Sequence, residues 1–225
     1  MSEIRRLLAA AGDPERAASQ QAYMKSAMPF RGVGVPQVRK ITRGVVRKMR
    51  FTSLEELSTF TLNLWDNARY REERYAALAV LRAPAARPFL DASALPLVRH
   101  LVVTGAWWDL VDETAHVLET ILTADAQRTV PVIEAWAEGE DMWLRRVAIL
   151  SQLQRGADTD VNLLGRVIAK NLLGSLHGDQ FFIRKAIGWA LRQYARCDAD
   201  WVRAFLTEHE RKLSALSRRE AAKYL

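Results

Sequence analysis

Helical spacing of the apolar residues, almost unbroken from one end to the other, is what most restricts how this chain can fold. Apolar positions recur at intervals of three and four residues, and no stretch alternates every second residue between turns, so strands are not expected. The periodicity predicts helices over 2–11, 14–27, 36–49, 54–64, 70–82, 93–104, 107–123, 126–138, 141–154, 161–173, 179–196, 199–211 and 218–225. Breaks coincide with glycine, proline or capping residues at Gly32-Val33-Gly34-Val35-Pro36, Pro84, Gly139, Gly156, Gly178 and Asp198. Ser53 with Glu56, and Ser217 with Glu220, have the spacing of capping boxes. Short helices on short loops fit an all-α chain of HEAT-like paired-helix repeats stacked into a curved α-solenoid, with a compact irregular bundle as the alternative. No internal linker divides the 225 residues, so a single domain over 1–225 is expected.

Charge adds a partner class only if it clusters. Lys and Arg number 33 against 26 Asp and Glu, a net charge of +7. On a helical wheel over 36–50, Val38, Ile41, Val45 and Met49 share one face. Arg39, Lys40, Arg43, Arg47 and Arg50 share the other, without an acid. Like charges along one stripe repel unless an anion neutralises them, which points to a phosphate backbone. An ordinary solvated helix mixes its signs, as Glu72-Glu73-Arg74 is expected to do. A second basic group is Arg184, Lys185, Arg192 and Arg196, and a third is Arg218, Arg219 and Lys223. A concave solenoid face could gather such helix ends along a duplex, but the sequence leaves open whether they converge.

The other inventories are short. Cys197 is the only cysteine and the four histidines lack metal-ligand spacing, so neither a disulfide nor a metal or cofactor is expected. "GVGVP" (32–36) lacks the lysine of a phosphate loop, and no nucleophile elbow or zinc-protease motif occurs. No secretion signal or membrane-length apolar run is present, so a soluble, cytoplasmic monomer is expected.

Three residues fit a core poorly. On the wheel for 107–121, Trp107, Leu110, Val111, Thr114, Leu118 and Ile121 form the buried stripe. Trp108 lies off it and Asp112 nearly opposite, and the two, four apart, share a face. Trp108 could pack on the next repeat; an indole beside a carboxylate also suits a flat or cationic ligand. On 181–194, Phe182, Ile183, Ala186, Ile187, Ala190 and Tyr194 form the core face, and Trp189 stands at its rim between Lys185 and Arg192. Gly188, costly in a helix interior by about 1 kcal/mol, implies a close approach, either of a neighbouring helix or of a ligand. In "WLRRVAIL" (143–150), Arg145 falls on the polar side with Gln152. Arg146 sits among Trp143, Ile149 and Leu150, where a guanidinium needs an acid or phosphate. Asp112 and nucleic acid are both open as that partner.

These stretches resemble the AlkD family of bacterial alkylpurine DNA glycosylases. The resemblance is carried by "YMKSAMPFRGVGVPQVRK" (23–40), "LWDNARYREERYAAL" (64–78), "WWDLVD" (107–112), "WLRRVAILSQL" (143–153), "FFIRKAIGWALRQYA" (181–195) and "LSALSRREAAKYL" (213–225). It implies a HEAT-like fold with a concave basic face and hydrolysis of the N-glycosidic bond of cationic N3- or N7-alkylated purines in duplex DNA, without extrusion of the base. Residue by residue, it places the catalytic aspartate on Asp112, the active-site tryptophans on Trp108 and Trp189, a DNA-contacting arginine on Arg146, and a tyrosine near the duplex on Tyr23. Gly105-Ala106 and Gln193 are minor departures that bear on substrate range. A cytoplasmic, nucleoid-associated repair enzyme is the expectation. The reading in competition is a non-catalytic scaffold for duplex nucleic acid or a protein partner.

Overall fold

The structure, a computed structural model, describes residues 1–225 and is entirely helical. Thirteen α-helices follow one another: α1 (Ser2–Ala10), α2 (Pro14–Met24), α3 (Val35–Val46), α4 (Leu54–Asp66), α5 (Arg71–Leu81), α6 (Leu95–Gly105), α7 (Trp108–Ala124), α8 (Ala126–Glu138), α9 (Met142–Ile149), α10 (Val161–Ala169), α11 (Phe181–Tyr194), α12 (Ala199–Glu208) and α13 (Ala215–Ala221). The helix pairs that pack most extensively are near neighbours in sequence, as in α-solenoids. No helix is long and apolar enough to cross a membrane.

Helix starts follow the expected chemistry more closely than helix ends. Asp13, Ser53, Asp125, Asp141, Asp160, Asp198 and Ser214 each cap a helix by accepting a backbone N–H. Ser53 behaves as expected, while the Glu56 carboxylate reaches back to Thr52 N at 2.8 Å rather than to the cap residue's own N–H. The Ser217–Glu220 box is not formed. The last helix begins three residues earlier, Ser214 is its cap, and Ser217 and Glu220 turn toward α11 instead. α3 stops at Val46, so Arg50 and Met49 lie beyond it. The segments expected over 141–154 and 161–173 end at Ile149 and Ala169.

Chain contacts cluster in two units, Met1–Leu90 and Asp91–Leu225. In the first, α3 and α4 pack on α5, and α1 packs on α3 and α5. Helix α5 is its axis, buried from Tyr75 through Leu81 on every face. That overturns the solvated reading of Glu72-Glu73-Arg74, because Glu72 and Glu73 are buried. An acid that enters a core this deep must be fully hydrogen-bonded. The Glu72 carboxylate accepts the successive backbone N–H groups of Arg31 (2.9 and 3.0 Å), Gly32 (2.9 Å) and Val33 (3.1 Å). Glu73 accepts Arg5 Nε at 3.0 Å, Arg31 Nη2 at 3.4 Å and Arg69 N at 3.3 Å. The "GVGVP" loop is thus wrapped around a side chain of its own protein. Gly32 is required there: its φ is +85°, and a Cβ would lie 1.9 Å from Asp13 O.

In the second unit α7 packs on α6, α8 and α9, and α11 on α9 and α13. Its core includes Leu110, Val111, Leu118 and Ile121 from α7, and Ile183, Ala186 and Ile187 from α11. The two wheel-derived core faces are therefore the buried ones, except that Trp107, Phe182 and Tyr194 are only half-buried.

Candidate active site

Between α6 and α7 the chain turns sharply. Ala106 adopts the left-handed region at φ 36°, and Trp107 is extended and precedes the first turn of α7. Trp107 then packs its ring against Trp143 of α9 (centroids 6.1 Å) and Phe182 of α11 (5.5 Å), so one aromatic cluster ties three helices together. With Trp107 committed to that cluster, Trp108 opens the helix on another face. Asp112 follows one turn later.

Asp112 and Arg146 meet in a two-pronged ion pair. Arg146 Nε donates to one carboxylate oxygen at 2.7 Å and Nη2 to the other at 2.8 Å. The remaining Nη1 donates to the Phe182 backbone carbonyl. The partner left open by the sequence is therefore Asp112. The arginine is 4% exposed and the aspartate 15%, so one edge of the carboxylate still reaches solvent. Burial pushes the Asp112 carboxyl above the ordinary aspartate value, while the Arg146 hydrogen bonds and charge pull it back. Asp109 adds a smaller upward push and His116 a smaller downward one. Asp141 starts α9 by accepting Trp143 N and Leu144 N, both at 2.8 Å, and so fixes the turn that carries Arg146.

Arg145 does not face solvent with Gln152 as expected. It is buried and binds the Gly139 (2.6 Å), Glu138 (2.7 Å) and Lys170 (3.4 Å) carbonyls and Asn171 Oδ1 (3.2 Å), tying α9 to the ends of α8 and α10. A carbonyl-rich helix end satisfies a guanidinium as fully as an acid does. Neighbouring arginines thus take opposite roles: one staples backbone, the other holds the aspartate.

Trp189 lies on α11, seven residues past Phe182 and hence on the same side of that helix, about 10 Å further along. It is half-buried. The close approach implied by Gly188 is that of a helix: a Cβ there would stand 2.5 Å from Glu220 Cβ and 2.9 Å from Ser217 O of α13. Gly188→Ala should therefore destabilise the protein by about 1–3 kcal/mol despite alanine's better helix propensity, because overpacking outweighs it. A denaturation curve checks this; a stabilised variant would mean that α13 yields freely.

The remaining candidates divide between the units. Lys185 and Arg192 sit on α11 and both pair with Glu220. Tyr23, Arg39, Lys40, Arg43 and Arg47 belong to the first unit. Tyr23 is 74% exposed near the end of α2. Lys40, Arg43 and Arg47 are exposed along α3 and its C-cap, and none of the three has an acid partner. Sequence reading missed Glu72, Glu73, Arg145 and Glu220. A signal for the first two was present: the all-round apolar "YAALAVL" (75–81) that follows them marks a central helix.

The family model described as DNA alkylation repair enzyme matches residues 4–225. A solved structure described as a predicted DNA alkylation repair enzyme from Enterococcus faecalis superposes with a TM-score of 0.74. It shares 29% identity, over 95% of this chain and 96% of that one. No curated protein matches the sequence. An all-helical chain of this kind, matched over nearly its whole length, belongs to the DNA alkylation repair enzyme family.

Proposed function

We propose that the protein is an alkylpurine DNA glycosylase that hydrolyses the N-glycosidic bond of cationic N3- or N7-alkylated purines in duplex DNA. The observation that carries this reading is the Asp112–Arg146 pair, a carboxylate held by both oxygens yet open at one edge beside Trp108. Alkylation at N3 or N7 makes the purine cationic, so it departs with the bonding electrons as a neutral base and needs little acid assistance. Positive charge then develops on the sugar. A carboxylate fixed in a poorly hydrated setting, with indole faces from Trp108 and Trp189, stabilises that charge. Asp112 also orients the attacking water, whose oxygen bonds to the sugar C1′ and whose proton passes to the carboxylate or solvent. In this reading the protein grips backbone and sugar through cations such as those of α11, Arg146 holds the aspartate in place, and the base stays stacked.

The decisive experiment is release of free base from methylated duplex DNA by the purified chain, followed by chromatography. Released 3-methyladenine or 7-methylguanine supports the reading. Salt-dependent duplex binding without release would instead make the chain a non-catalytic scaffold. The chemistry needs Asp112 ionised, and burial raises the pH at which it ionises. Excision should therefore fall as pH drops through a value above that of an ordinary aspartate. Because Arg146 pulls that value down, Arg146→Gln should move the acid limb to still higher pH. A limb at or below the ordinary aspartate value in the parent protein would remove Asp112 from the rate-determining ionisation.

A further inference from the structure

The second and third basic groups converge, and the point of convergence is an acid. Glu220 of α13, its side chain only 6% exposed, pairs with Lys185 at 3.0 Å, Arg192 at 2.9 Å and Lys223 at 3.0 Å. Lys185 and Arg192 are seven residues apart on α11, so the carboxylate bridges two helical turns across Gly188, and Trp189 lies between the two cations in sequence. The bridge needs Gly188, whose absent Cβ would collide with that of Glu220. The rest of the C-terminal segment clasps the same helix: Ser217 Oγ donates to Arg184 O at 2.9 Å, and Arg196 binds Tyr224 through both its hydroxyl (2.5 Å) and its ring (4.3 Å). Hydrogen bonds from Lys223 and Lys185 hold the Glu220 carboxyl down to about 2, against the opposing effect of burial.

A carboxylate this well satisfied could be purely structural, but the cations around it are not used up. Lys185 is 40% exposed and Lys223 49%, and an ammonium has three donors of which Glu220 occupies part. Three cations on one carboxylate leave two positive charges in excess, held on short tethers rather than spread over mobile side chains. A tetrahedral anionic oxygen cluster fits such donors, and the backbone phosphodiester of nucleic acid presents one at every nucleotide.

We propose that Glu220 is a positioning residue, which gathers Lys185, Arg192 and Lys223 into one cradle for a single backbone phosphate of duplex DNA next to Trp189. This rests on the DNA-acting reading above and adds to it a residue that does not itself touch DNA. Pre-ordering long side chains lowers the entropy lost on binding, so the acid strengthens the grip although its charge repels phosphate.

The sign of the effect makes this testable. Affinity of the full chain for a short undamaged duplex is measured by fluorescence anisotropy over a salt series, with thermal melts alongside. Glu220→Gln adds net positive charge, so simple attraction would tighten binding; the cradle instead requires it to weaken, by roughly five- to tenfold. Lys223→Ala, at an exposed side chain that leaves the fold intact, should lower the slope of log K against log salt by about one phosphate contact. Arg203→Ala, an exposed cation of α12 outside the cradle, should leave the slope unchanged. Tighter or unaltered binding by Glu220→Gln, or an unaltered slope for Lys223→Ala, overturns the proposal. If Glu220→Gln does not fold, the Lys223→Ala slope decides alone. Absence of duplex binding by the parent protein would sink the DNA-acting reading itself, a result distinct from either.

Discussion

Replacing Asp112 by asparagine should lower base release from methylated duplex DNA by about 100- to 1000-fold, with affinity for undamaged duplex unchanged or slightly tighter. Asparagine keeps the shape but loses the charge that faces the developing cation on the sugar, and it cannot take a proton from water. It also meets Arg146 badly. Its single carbonyl oxygen can accept only one of the two guanidinium donors at 2.7 and 2.8 Å, and its amide nitrogen would point its hydrogens at the other. A buried guanidinium left half-paired costs about 2–4 kcal/mol of stability. The rate comparison therefore belongs well below the melting transition of the variant, with its folded fraction measured by circular dichroism. Removing a carboxylate from the neighbourhood of phosphates gives no reason for weaker binding, which separates a catalytic role from a binding role. Wild-type excision by folded Asp112→Asn would show that the carboxylate is not part of the chemistry.

The largest effect on stability should come from the first unit, at a residue with no expected part in the reaction. Glu72→Gln should destabilise that unit by about 3–5 kcal/mol. Three successive backbone N–H groups, those of Arg31, Gly32 and Val33, converge on the Glu72 carboxylate, and Arg31 N reaches both of its oxygens. A glutamine keeps one acceptor for the N–H groups that meet at Oε1, but it loses the charge that strengthens those bonds and aims an N–H at Arg31 N, in a fully buried site. The loop cannot relax easily, since Gly32 already lies against Asp13 O and Arg31 O accepts Asp13 N at 2.7 Å. Urea denaturation checks the figure, with Glu208→Gln at the exposed end of α12 as the comparison. A loss below about 1 kcal/mol would show that the loop holds its shape without the carboxylate. Block 23–40, which contains Tyr23 and the start of the basic helix α3, is anchored through this loop, so the same variant should also loosen those candidate DNA contacts.

Within "GAWWDLVDET" (105–114), a wheel alone separates Trp107 from the Trp108–Asp112 face, and the aromatic cluster of Trp107 with Trp143 and Phe182 bears this out. Periodicity is enough for Trp108 and Asp112, whose directions follow from their positions in the turn, whereas Trp107 precedes the helix and is placed by its extended backbone. Periodicity is not enough for Arg145 and Arg146, adjacent and both buried, one bound to carbonyls and the other to Asp112. Which partner a guanidinium finds depends on what other helices bring to it. Gly188 lies between these cases: its spacing announces a close approach, and only α13 identifies the neighbour.

The sequence by itself determined that this chain is all-α, where all its helices but the last begin to within two residues, and which faces of α7 and α11 turn inward. All of these are local properties, set by side-chain spacing and capping within a few turns. Only the tertiary structure decided that Arg146 grips Asp112, that Glu72 fills the "GVGVP" loop, and that Glu220 draws together cations from α11 and the C-terminus. Apart from the local Glu220–Lys223 pair, these links join residues 28 to 41 positions apart. A buried charge takes whichever partner the packing of helices presents, and no local pattern encodes that choice.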